Sequence, residues 1–105
     1  MCGISGFCNL NQRYLEKKPY WEKILTDMHA CLSHRGNDAS GTYLNNCTGL
    51  SHARLSIRDI AKGNQPMVRH FPRGEYAIVY NGEIYNTEEL LPALKSAGYF
   101  FETTS

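Results

Sequence analysis

The spacing of apolar and polar positions changes several times along this chain. Gly3 to Asn9 is a short, mostly apolar stretch near the first residue, and it reads as a strand that ties the amino terminus into a sheet. Pro19 suits the first turn of a helix. Trp21, Ile24, Leu25, Met28, Cys31 and Leu32 then follow at helical spacing, which predicts one core-facing side. HRGNDASG, from His34 to Gly41, is too rich in turn formers for regular structure and reads as an ordered or functional loop. Thr42 to Leu44 and Gly49 to Leu55 predict two strands joined by a turn around Asn45 and Asn46.

Ser56 to Met67 reads as an irregular connection. Tyr76 to Tyr80 is an apolar run suited to a buried strand, and it delivers Asn81 and Gly82 at its end. Asn86 followed by Glu89 has capping-box spacing and opens a helix with Leu90, Leu91 and Leu94 on one face and Gly98 as its stop. Phe100 to Thr103 would begin another strand. The expected fold class is α+β with a mostly antiparallel sheet. Without repeat, linker or low-complexity tract, residues 1–105 form one domain at most.

Composition narrows this picture. The 105 residues are 42% hydrophobic and 20% charged, as in an ordinary globular unit. Eleven Lys and Arg against ten Asp and Glu give a formal charge of +1, with basic residues scattered, so no nucleic-acid footprint is expected. The start MCGISGFCNL has no basic region followed by a long apolar stretch, and no run of ~18 apolar residues occurs. A soluble, cytoplasmic protein with reduced thiols is expected. Cys2, Cys8, Cys31 and Cys47 form no CxxC pair, so no zinc site is expected, and the last three read as small buried hydrophobes.

The candidate chemistry begins at Cys2. Excision of Met1 would leave one residue with both a thiol and an α-amine. An amine titrating near ~7.7–8.0 can exchange a proton with a thiol near ~8.5 at little cost, which makes a nucleophile with its own base. Taken alone, a second-position cysteine is usually just a small residue that permits methionine removal. Asn81 and Gly82 could supply a side-chain amide and a backbone N–H to an oxyanion, although Asn-Gly is also a common hairpin turn. Arg54 could grip a carboxylate through two hydrogen bonds or form a surface ion pair. Glu83 could receive an ammonium group or simply face solvent.

Together MCGISGF, HRGNDASG, HARLSIRD, the QPM at Gln65 to Met67, and NGEIYN resemble, in that order, the amino-terminal glutaminase domain of asparagine synthetase. The resemblance spans essentially the whole chain and points to a class II glutamine amidotransferase of the N-terminal nucleophile hydrolases. It implies the front part of a four-layer αββα sandwich. In that family Cys2 would attack the side-chain amide of glutamine to give a glutamyl thioester and ammonia, and water would release glutamate. By position, Asn81 and Gly82 match the oxyanion hole, Arg54 the carboxylate clamp and Glu83 an amino-group contact. Arg54, Leu55, Ser56, Ile57 and Arg58 would line the glutamine pocket.

The resemblance also implies what is missing. The family pattern continues past Ser105 with an aspartate that helps bind the glutamine amine, and then with the rest of the sandwich. A carboxy-terminal synthetase domain using ATP and magnesium follows in that family, so the expected partners are glutamine and that domain, with no metal or cofactor on this chain. The 105 residues alone are expected to be an inactive fragment with a tendency to self-associate through unpaired strand edges. A retained Met1 would also remove the base. Asn37 stands where the family usually has proline, and Arg58 where an apolar residue is usual; solvent is the expected outlet for the Arg58 charge. Two alternatives remain open at this stage: another class II amidotransferase, and a non-catalytic paralogue acting as a binding module.

Overall fold

The computed structural model describes residues 2–35, 39–54 and 64–103. Strands β1 (Gly3–Cys8), β2 (Ala39–Leu44) and β3 (Thr48–Arg54) form an antiparallel sheet in the order β1-β3-β2. Strands β4 (Met67–Phe71) and β5 (Gly74–Ile78) form an antiparallel hairpin. Helix α1 (Lys18–Ala30) lies between β1 and β2 in sequence, and α2 (Thr87–Ser96) follows β5. The class is α+β with antiparallel pairing throughout the described strands, consistent with part of an N-terminal nucleophile hydrolase sandwich.

Alternation along β3 decides what each side of the first sheet does. Gly49, Ser51 and Ala53 sit opposite Phe7, Ser5 and Gly3 of β1, and the hydroxyls of Ser5 and Ser51 hydrogen-bond each other. A side chain at Gly49 would run into the Phe7 ring, so glycine there lets the ring lie flat on the strand. Phe7 meets Tyr14 and Trp21 with ring centroids 4.9 and 5.6 Å away, and Tyr14 meets Trp21 at 4.6 Å. The two contacts of Tyr14 are edge-on and that of Phe7 with Trp21 is tilted, and together they dock α1 on this face. Leu25, 1% exposed, completes the small core.

Local chemistry fixes the ends of these elements. Pro19 lies in the first turn of α1, where its missing N–H costs nothing. Lys23 pairs with Asp27 at 3.0 Å on the solvent side. The turn between β2 and β3 is made by Asn45, whose side-chain oxygen accepts the backbone N–H groups of Cys47 at 2.8 Å and Thr48 at 2.7 Å. Asn46 then holds the start of the preceding 3-10 turn, its carbonyl accepting from Tyr14 N–H at 3.0 Å.

The opposite face, bearing Leu50, His52 and Arg54, is approached by the segment at Gln65 and Pro66 and by Tyr80. Gly41 of β2 shows how close this approach is. A Cβ there would collide with the Gln65 carbonyl oxygen and crowd Pro66. The Tyr43 hydroxyl also donates to the Glu75 carboxylate, which faces His70 Nδ1 at 3.1 Å, and so joins the first sheet to the β4–β5 hairpin.

Several sequence expectations need correction. Ala39 to Gly41 belong to β2, not to a loop: their turn-forming side chains matter less than the ladder they make with Ala53, His52 and Arg54. Met67 opens a strand that hydropathy did not suggest, and β5 ends at Ile78. Tyr76, Ile78 and Tyr80 are exposed rather than buried, because a two-stranded sheet leaves a face that no described element covers. Asn86 is the N-cap of α2, but its side chain makes no capping bond, so the capping box is not formed.

Leu90 and Leu94 are exposed and α2 buries nothing, while Gly98 does end it, with φ +94°. Phe100 to Thr103 is not a strand. Cys8 and Cys31 are exposed and Cys47 only half-buried: Cys8 ends an edge strand on the side away from α1, and Cys31 falls beyond the last helical turn. No helix among the described residues is long and apolar enough to cross a membrane.

Candidate functional site

Cys2 and Arg54 are brought to one end of the central sheet by strand register. The last pair of the β1–β3 ladder is Gly3 with Ala53, so Cys2, directly ahead of β1, and Arg54, the last residue of β3, occupy the next position. Alternation places both on the face away from α1, the face that also carries His52. Cys2 is half-buried. Arg54 is 5% exposed, and its Nη1 donates to the side-chain oxygen of Asn64 at 2.7 Å. A guanidinium this buried needs several acceptors around its fork, and Asn64 supplies one.

Asn81, Gly82 and Glu83 follow β5 and are exposed. They are tied to the same face through Tyr80. Its backbone N–H donates to the Gln65 side-chain oxygen at 2.6 Å. Its carbonyl lies against the His52 ring. Its phenol folds back so that the hydroxyl stands 2.7 Å from the point where a Gly82 side chain would begin. Glycine at position 82 thus leaves room for the Tyr80 ring.

His52 is 1% exposed, and neither ring nitrogen completes a well-directed hydrogen bond among the described residues. Burial pushes its pKa below the ordinary histidine value. The Tyr80 carbonyl favours a proton on the ring and opposes that shift, while the Arg54 charge and His29 add to it. His52 is therefore a neutral imidazole at pH 7, set between the buried guanidinium and the segment leading to Asn81.

The family of the glutamine amidotransferase domain matches residues 1–105. The chain belongs to that family. Among its relatives, asparagine synthetase [glutamine-hydrolyzing] 3 of Bacillus subtilis is 38% identical over 105 residues, covering 100% of this chain and 16% of the relative. Asparagine synthetase [glutamine-hydrolyzing] 1 of Arabidopsis thaliana is 45% identical over 96 residues, covering 91% of this chain and 15% of the relative. A putative asparagine synthetase [glutamine-hydrolyzing] 2 of Methanocaldococcus jannaschii is 34% identical over 107 residues, with 86% and 20% covered. The chain thus spans about a sixth of the length of the first of these.

Of the residues singled out in the sequence, the structure of this amidotransferase domain places Cys2 and Arg54 together and tethers Asn81, Gly82 and Glu83 to their face. Leu55, Ser56, Ile57 and Arg58 lie outside the described residues, as does Asn37. Sequence reasoning missed His52, Asn64 and Gln65 as parts of the site. His52 had a usable signal, since it stands two positions before Arg54 and shares its face of a strand. Gln65 lies in the QPM block that helps carry the resemblance, but nothing in the sequence pointed to its contact 15 positions away, and Asn64, whose contact lies 10 positions away, had no signal. Among the described residues no group of three His, Cys, Asp or Glu is placed to hold a metal ion.

Proposed function

We propose that this chain is the front part of a glutaminase domain, residues 1–105, in which Cys2 is the nucleophile that releases ammonia from glutamine. The observation that carries this reading is the convergence on one sheet face of Cys2, the buried Arg54 and the tethered Asn81–Gly82 segment, in a chain of the glutamine amidotransferase family.

The residues divide the work as follows. With Met1 removed, the α-amine of Cys2 takes the thiol proton, and the thiolate attacks the carboxamide carbon of the glutamine side chain. The developing oxyanion is received by the Asn81 side-chain N–H and the Gly82 backbone N–H. The ammonium of Cys2 returns its proton to the leaving nitrogen, ammonia departs, and a glutamyl thioester remains. Water adds to the thioester carbon and the thiol is regenerated with free glutamate. Arg54 grips the substrate α-carboxylate, Glu83 faces its amino group, and residues 55–58 complete the pocket.

The ammonia would serve asparagine synthesis, as the names of the relatives suggest, in a carboxy-terminal synthetase domain that binds ATP and magnesium. A reducing, cytoplasmic setting suits a mechanism that depends on a thiol.

The test is glutamate release from glutamine by protein expressed from its complete reading frame, wild type against Cys2→Ala, with Met1 removal confirmed by mass spectrometry. Loss of activity in the variant supports the reading. A processed wild type without activity, with or without a nitrogen acceptor, would move the chain to a non-catalytic role.

A further inference from the structure

We infer that Gln65 is a positioning residue for the oxyanion donors, acting through the backbone of Tyr80; this rests on the glutaminase reading above. Asn81 and Gly82 lie on an exposed stretch beyond β5, outside any strand ladder. Such a stretch would ordinarily sample several backbone states, and donors that wander by even ~1 Å lose much of their effect on a transition state. Something must hold them.

Three contacts converge on Tyr80, the residue that leads into that stretch. Gln65 accepts its N–H at 2.6 Å, which fixes the peptide unit entering the residue. The 1% exposed His52 ring faces its carbonyl, which belongs to the peptide unit leaving the residue and joining Asn81. Its phenol packs against Gly82, so a turn of the Tyr80 backbone would carry the ring with it and disturb that residue.

Of these three contacts, the Gln65 bond comes from outside the first sheet, and its own base is held in turn. The Gln65 backbone carbonyl sits directly over Gly41, at a spacing that admits no Cβ. The β2 strand therefore carries Gln65, Gln65 carries Tyr80, and Tyr80 sets Asn81 and Gly82. The same chain of contacts links the two edges of the site: β3 bears His52 and Arg54 and is paired with Gly41 through His52. Support of this kind, one layer behind the reacting groups, is what keeps donors within a productive geometry.

Two substitutions of Gln65 separate positioning from mere space filling. Gln65→Met fills the same volume without an acceptor, and Gln65→Glu keeps an acceptor oxygen at the same reach. In protein expressed from its complete reading frame, Gln65→Met should lower kcat for glutamine hydrolysis by about tenfold or more while KM changes less than about threefold, the signature of a loss felt in the transition state. The Tyr80 amide should exchange with solvent at least about tenfold faster in that variant, with β3 amides unaffected. Gln65→Glu should restore Tyr80 protection and recover part of the turnover.

Alkylation of Cys2 by iodoacetamide should proceed at the wild-type rate in both variants, since the nucleophile is untouched. Unchanged Tyr80 exchange in Gln65→Met, or a loss confined to KM, would overturn the proposal while leaving the glutaminase reading intact. Full activity in Cys2→Ala would remove that reading and the positioning role with it.

Discussion

Arg54 donates to Asn64 at 2.7 Å, so a guanidinium that is only 5% exposed is steadied by a residue ten positions further along the chain. Removal of that acceptor by Asn64→Ala takes away one of the contacts that orient the fork and should weaken its hold on a substrate carboxylate. KM for glutamine is expected to rise about three- to tenfold with kcat near wild type, and stability to fall by about 1–2 kcal/mol for a lost bond to a charged group. Steady-state kinetics and urea melts measure both. An unchanged KM would separate Arg54 from substrate binding.

His52 gives the domain an acid-side sensitivity. Its folded pKa lies below 6.5, chiefly through burial, whereas the unfolded ring titrates near 6.5. The unfolded state therefore binds the proton first as pH falls. Its contribution is fully present above pH 6.5 and is lost as pH drops through the folded value, at no more than about 1.4 kcal/mol per pH unit. The charge of Arg54 and the electrostatic influence of His29 act in the same direction. Thermal melts from pH 8 to 5 should show this loss in the wild type and a shallower one in His52→Asn. Parallel profiles would rule out His52 as the source.

The first sheet and α1 were largely legible because their signals are local. Helical spacing from Trp21 to Met28 and the Asn45–Asn46 turn each express an interaction within a few residues. The β4–β5 region was not, since Tyr76 and Ile78 have the hydropathy of a buried strand and yet are exposed, and hydropathy reports what a residue prefers, not whether a neighbour arrives to cover it. Asn86 and Glu89 have the right spacing for a capping box without forming one. Cys2, Arg54 and the Asn81–Gly82 pair were ambiguous one by one and could be named as candidates because the ordered blocks around them resemble a known family, whereas the bonds of Asn64 to Arg54 and of Gln65 to Tyr80 are set by folding alone.

Gly41 should not tolerate a side chain. The atoms a Cβ would meet there are the Gln65 carbonyl group and the Pro66 ring, and backbone cannot step aside as a flexible side chain can. Gly41→Ala is expected to cost about 1–3 kcal/mol, as overpacking does elsewhere, and to weaken glutamine turnover by moving Gln65. A urea melt within about 0.5 kcal/mol of the wild type would contradict the close approach.

Isolated, the 105-residue chain should self-associate. Phe71, Tyr76 and Ile78 are exposed on the β4–β5 hairpin, and Tyr85 and Phe100 are each 96% exposed beyond it. Each strand of the hairpin also has an edge unpaired with any described strand. Apolar surface beside open strand edges favours association. Size-exclusion chromatography should show species larger than the 11.9 kDa monomer, increasing with concentration. A clean monomer that unfolds cooperatively would contradict this expectation.

The pairing of β1 with β3 also orders events in time. The β2–β3 hairpin closes across a four-residue span between Leu44 and Gly49, whereas Gly3 must find Ala53 across fifty positions. Closing the longer loop costs more chain entropy, so β1 is expected to dock after the hairpin has formed. The Cys2 thiol, the proposed nucleophile, directly precedes this late-docking strand and arrives with it. Until it does, a nascent chain would hold the proposed carboxylate clamp without the proposed nucleophile, and on that reading hydrolysis would wait for this sheet to finish folding.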